Sequence, residues 1–140
     1  MPAFTRIHSD KLANFSFSHG AVIHPNAQTI VLAGKVGSID LKGTMAATFE
    51  EQVAATFKNI EIALAEVGAT PKDIVHMRYY VTDVQLESRD MVAFRKIRTD
   101  FLGRFPGAAP AGTVISVLAA DPEILFEVDV IAAIPAQSKL

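Results

Sequence analysis

The chain has 140 residues, half of them hydrophobic and a fifth charged, with a formal net charge of −2; that length fits one domain over residues 1–140, with no room for a second of ordinary size. The small acidic excess gives no broad electrostatic reason to bind nucleic acid or an anionic membrane, and the absence of cysteine rules out disulfides, thiolate metal sites and a cysteine nucleophile. The start "MPAFTRIHSD" lacks a basic segment followed by an apolar run, and no stretch approaches the ~20 apolar residues of a membrane span, so a cytoplasmic location is expected.

In chain order, a short strand near Phe4 to Ile7 is followed by "AVIH" and "TIVLAG", two strand-like runs separated by the turn-like "PNAQ". From Phe49 to Val67, apolar residues at steps of three and four (Phe49, Val53, Phe57, Ile60, Leu64, Val67) predict an amphipathic helix. Thr48 and Glu51 form a capping box at its start, and Gly68 stands where a left-handed C-terminal cap belongs. The loop "GATPKD" leads into the strand "IVHMRYYVTD". A second helix is expected from about Arg89 to Leu102 and ends at "GRFPG". The strands "TVISVL" and "ILFEVDVIAAI" complete the chain. Strands arriving in pairs around helices predict an α+β fold, a mixed sheet with both helices on one face.

Alternation along a strand divides its residues between two faces. Ile124, Phe126, Val128 and Val130 form an apolar set for the helices to cover, as do Val75, Met77, Tyr79 and Val81. Glu127 and Asp129 then share the other face with Arg78 and Tyr80, and Val114 and Leu118 are expected there too. An uncovered face of mixed polarity with this much apolar surface predicts a self-complementary partner, so a homo-oligomer is expected.

The runs "FSHGAVI", "TIVLAGKVG" and "QVAATFKNIEIALAEVGATPKDIVHMRYYVTD", followed by "PAGTV" and "FEVDVIA", resemble the Rid (reactive intermediate deaminase) family, also called YjgF, over nearly the whole chain. The resemblance implies a chorismate-mutase-like fold, a homotrimer with a central β-barrel and helices outside, and clefts between subunits. It also implies hydrolytic deamination of imines and enamines, with a small-molecule substrate and no metal or cofactor. On it, Phe17 occupies the position of a pocket aromatic, Gly34 that of a pocket glycine and Glu127 that of the motif acid. Gly112 stands where the family carries a substrate-binding arginine, Arg95 where it carries an asparagine, and Lys35 where it carries a glutamine.

In such a deaminase Glu127 would position and polarise the attacking water while the backbone at Gly34 holds the imine end. The alternative role for Glu127 is an ion pair with Arg78 or with a basic side chain of another subunit. With Gly112 unable to grip a carboxylate, either Arg95, Lys35 or Arg78 takes the anion from another direction, or the substrate lacks a carboxylate there. Phe17 is a stacking wall, His19 a candidate acid or base near neutral pH, and the phenol of Tyr80 is placed to reach the cleft. Phe17, His19, Gly34, Lys35, Tyr80, Arg95, Gly112 and Val114 thus make up the expected substrate-binding set, with Glu127 catalytic. The histidines at 8, 19, 24 and 76 show no paired ligand spacing, so no metal is expected. Two further readings remain beside the deaminase: a non-catalytic small-molecule binding or chaperone-like trimer, and an endoribonuclease, which the acidic charge disfavours.

Overall fold

The computed structural model describes residues 1–82 and 88–137. Strands β1 (Phe4–Ile7) and β2 (Gly20–Ile23) pair antiparallel as a separate two-stranded ribbon, while β3 (Gln28–Val36), β4 (Ile74–Thr82), β5 (Ala111–Val117) and β6 (Phe126–Ile134) form one mixed sheet in the order β3-β6-β4-β5. Helices α1 (Phe49–Ala65) and α2 (Ser88–Gly103) pack against each other, and their buried side chains join those of the sheet in one core, giving the expected α+β layers. Asp83, the last residue of the predicted middle strand, lies outside the described residues.

Local chemistry explains the first helix. The Glu51 N–H donates to Thr48 Oγ1 at 3.1 Å while the Thr48 N–H donates to Glu51 Oε2 at 3.2 Å, so two amides with no partner inside the helix are satisfied reciprocally. Gly68 stops the chain with φ +73, a conformation open to glycine at no steric cost. Val53, Phe57, Ile60 and Leu64 are buried as the periodicity requires, whereas Val67, beyond the helix end, is exposed.

Beneath the helices, Met77, Tyr79, Val81, Phe126, Val128 and Val130 are all buried. Phe57 stacks on Phe101 with centroids 4.8 Å apart, and Tyr79 meets Phe94 edge-on at 5.1 Å. Each large apolar side chain taken from water here stabilises the fold by ~1.5–3 kcal/mol, which makes this aromatic layer the main fastening between sheet and helices. Val75 departs from expectation. An irregularity between Ile74 and His76 lets both Ile74 and Val75 be buried, and Val75 packs on Ala3 and Ala133 in a smaller cluster beneath the β1–β2 ribbon.

The face assignment of the fifth strand is corrected by its register. β5 runs parallel to β4, with Tyr79 opposite Val114 and Tyr80 opposite Ile115. Val114 therefore shares the helix side with Tyr79, and Thr113, Ile115 and Val117 share the face of Tyr80. Alternation separates the two sets of a strand without saying which set faces which way; only the pairing does.

Candidate functional site: two clefts on opposite faces of the sheet

The first cleft lies on the face away from the helices, with a volume of about 360 Å3, lined by Gly34, Tyr80, Thr82, Glu127 and Asp129 together with the segment after β5. Two features of the sheet shape it. Between the pairs Leu32/Val130 and Lys35/Val128, two residues of β3 (Ala33 and Gly34) stand against Asp129 alone, a bulge that redirects the strand. At that point a Cβ on Gly34 would overlap the Glu127 carboxylate, lying 3.0 Å from its Cδ. Glycine here is what lets the backbone of β3 reach the acid.

The two carboxylates of β6 differ in their company. Asp129 accepts from Arg78 Nε at 2.9 Å and from the Tyr80 hydroxyl at 2.8 Å, so both its oxygens are engaged. That bond, ahead of burial and of the Asp129 charge, holds the Tyr80 phenol above its ordinary range, and the same carboxylate raises Arg78. Glu127 is half-buried and, among the described residues, accepts no hydrogen bond and forms no ion pair. Within the chain, the arginine expected as its alternative partner is thus taken by Asp129.

The second cleft lies on the helix side, between β5, α2 and the loop that follows α2. Its volume is about 290 Å3, and Phe17, Tyr79, Arg98, Phe105, Gly112 and Val114 are among its walls. Phe17 stacks on Phe15 with ring centroids 5.1 Å apart. Gly112 leaves room for the aromatic core rather than for a ligand: a Cβ there would meet the Met77 carbonyl oxygen and Tyr79 Cε2, each at 3.2 Å. Burial pushes the Tyr79 phenol up to about 12, against the pull of the neighbouring Arg98 charge and hydrogen bond.

The expected site residues are therefore dispersed. Gly34, Tyr80 and Glu127 meet in the first cleft; Phe17, Gly112 and Val114 meet in the second. Lys35 stands opposite Val128 in the register, on the helix side, and lines neither cleft; nor does the exposed Arg95. His19 lies outside both, its backbone N–H bonded to the Ile7 carbonyl at 2.9 Å. Among the described residues no cluster of histidine, aspartate and glutamate is arranged to hold a metal ion.

Arg98 escaped the sequence reading. It follows Phe94 by four residues, which puts it on the stripe of α2 that faces the sheet, where its guanidinium carbon lies 5.2 Å from the Phe94 ring centre and 5.8 Å from that of Tyr79. The signal was available: a cation within an apolar helical stripe.

Residues 9–134 match the family model described as Endoribonuclease L-PSP. A RutC family protein from Aquifex aeolicus is 32% identical over 56 residues, a segment spanning 40% of this chain and 45% of that protein. Among solved structures, a Rid-family protein of unknown function from Yersinia pestis superposes with a TM-score of 0.74 at 24% identity, covering 94% of this chain and 99% of the other. A YjgF-family member from Mycobacterium tuberculosis gives 0.60 at 27% identity, over 94% and 99%.

Proposed function

Because the chain belongs to the Endoribonuclease L-PSP family, the YjgF or Rid proteins, we propose that it is a homotrimeric hydrolase that deaminates a small imine or enamine in clefts completed between subunits. The observation that carries this reading is Glu127. It is a carboxylate facing a cleft, with no partner among the described residues, two positions from an aspartate whose oxygens are both engaged. Pairing the Glu127 cleft of one copy with the Phe17 and Gly112 cleft of the next would unite residues that a single chain keeps on opposite faces of its sheet.

In this reaction the substrate enters as a protonated imine. Glu127 accepts a proton from water as the water oxygen bonds to the imine carbon, giving a carbinolamine. The same carboxyl returns that proton to the nitrogen and, as a carboxylate again, takes the hydroxyl proton while the C–N bond breaks, so that the carbonyl forms and ammonia leaves carrying that proton away as ammonium. Backbone groups of the bulge at Gly34 flank the acid and hold the nitrogen end. Gly112 offers no side chain to a carboxylate, so any carboxylate must be gripped from another direction, and a substrate preference shifted from the usual 2-imino acids follows.

Enzymatically generated 2-iminobutanoate and a series of larger imines, followed by release of 2-oxo acid and ammonia, test this directly. Accelerated ammonia release is expected, strongest on a substrate other than 2-iminobutanoate, and Glu127→Gln should lower it by ~10²-fold or more, the usual scale of a positioned acid or base. An unaccelerated reaction with every imine, or an unaffected Glu127→Gln variant, would defeat the deaminase reading. RNA cleavage that fell with the same substitution would replace it with the endoribonuclease one.

A further inference from the structure

We infer that Arg98 is the anion-binding residue of the helix-side cleft, and that the ligand this cleft takes is a small carboxylate with an apolar body. The placement deepens the deaminase reading and rests on it only for the identity of the substrate; the anion site itself stands on the cleft.

The chemistry of the walls is one-sided. Among the described residues lining this cleft, Arg98 carries the only formal charge, and no aspartate or glutamate is among them. Around it stand apolar side chains, Phe17, Leu102, Phe105 and Val114 among them, with the hydroxyls of Ser16 and Thr99 as the small polar groups. Among the described residues no carboxylate pairs with Arg98, although Arg78, Lys96 and Arg104 are each engaged by one. Arginine left without an acid against apolar walls favours a ligand that brings the acid with it.

The guanidinium is also held in place. It sits against the Tyr79 and Phe94 rings at 5.8 and 5.2 Å, and those two rings are themselves buried and edge-packed at 5.1 Å. The two rings and the bond to the Tyr79 hydroxyl fix the guanidinium, and of its five N–H donors those not spent on Tyr79 remain for a second partner, which then binds with little loss of freedom. Gly112 contributes by omission, since a side chain at that position would press on Tyr79, the shelf on which Arg98 rests. At about 290 Å3 the cleft lies near the lower end of the ~300–1,000 Å3 common for ligand pockets, which suits a molecule of modest size.

The probe is benzoate, with benzamide as its uncharged counterpart, each titrated into the folded 140-residue chain and followed by backbone amide chemical shifts. Wild-type protein should bind benzoate saturably and more tightly than benzamide. Arg98→Gln should weaken benzoate by ~10- to 100-fold, the scale of a lost charge-assisted pair, and leave benzamide unchanged. Arg98→Lys should recover part of the loss and Arg95→Gln should have no effect; the lysine variant also covers the case in which Arg98→Gln folds poorly. Absence of benzoate binding, equal losses for both probes, or an unaffected Arg98→Gln would overturn the assignment. Imine turnover separates the two proposals. Arg98-dependent benzoate binding without turnover would leave the anion site standing and remove the deaminase. Turnover whose KM for charged over uncharged imines ignores Arg98 would do the reverse.

Discussion

Glu127 and Asp129 stand two residues apart on one strand and share a face, yet their neighbours give them different work. Asp129 is fixed by Arg78 and Tyr80, and replacing it would leave an arginine and a phenol to find water. Glu127 lies against Gly34, whose missing Cβ leaves the space that the carboxylate occupies. Gly34→Ala should therefore displace the far end of a flexible side chain, changing stability by no more than about 1 kcal/mol, an ordinary value for a surface change. It should lower imine hydrolysis at least tenfold. A thermal melt beside the ammonia assay separates the two effects, and equal activity in the variant would mean that the acid's position is not held by the bulge. Tyr79 gives a second test. Its phenol is raised from 10.0 to about 12 by burial, so above pH 10 the unfolded chain gives up a proton that the folded chain keeps. Stability should then be constant with respect to this group below pH 10 and fall as pH rises from there toward 12. Urea midpoints across that window check it, and Tyr79→Phe should flatten the slope.

At the scale of elements, α1 fixes the start of the acid-bearing strand through one buried amide. Gln52 is 2% exposed, and its Nε2 donates to the carbonyls of Ala46 at 3.0 Å and Glu123 at 2.9 Å while its Oε1 accepts from the Leu125 N–H at 2.9 Å. Those three bonds tie the loop before α1 and the turn before β6 to the helix, two residues ahead of Glu127. Gly37 permits the approach, since a Cβ there would fall 2.5 Å from the Gln52 Cα. Gln52→Ala strands buried backbone groups, and a loss of about 2–4 kcal/mol is expected in urea unfolding. A change below about 1 kcal/mol would show that water replaces the amide. Little of this was legible beforehand. Capping box, glycine stop and apolar stripe announce α1 because helix signals are local, whereas Gln52 looks like any polar residue until the turn before β6, some seventy positions on, is folded over it. The same limit explains Val114: the face of a strand depends on a partner distant in sequence. Arg98 was within reach of periodicity, which needs only the helix itself.

For the whole molecule, the decisive surface is the sheet face opposite the helices. Val31 is 74% exposed and Ile115 43% exposed, and both lie on the side that carries Tyr80, Glu127 and Asp129. Neither is needed by the core of the single chain, so a charge at either position should leave the folded protomer intact. If three copies close this face into a barrel as proposed, a charge brought there loses its water and meets two like charges across the interface, a combination that costs far more than a surface substitution. Val31→Glu should accordingly convert the trimer into a folded chain of 15.1 kDa by sedimentation equilibrium, with its helical circular dichroism retained. Imine hydrolysis should be lost along with the trimer, because Glu127 and the Phe17 cleft lie on opposite faces of one sheet and, on the proposed reading, would meet only across copies. Arg98 and the apolar walls around it already form a cleft in the single chain, so benzoate binding should survive in the same variant. A monomer that still hydrolyses imines would place the whole reaction at the Glu127 cleft, and a trimer that tolerates Val31→Glu would move the interface elsewhere.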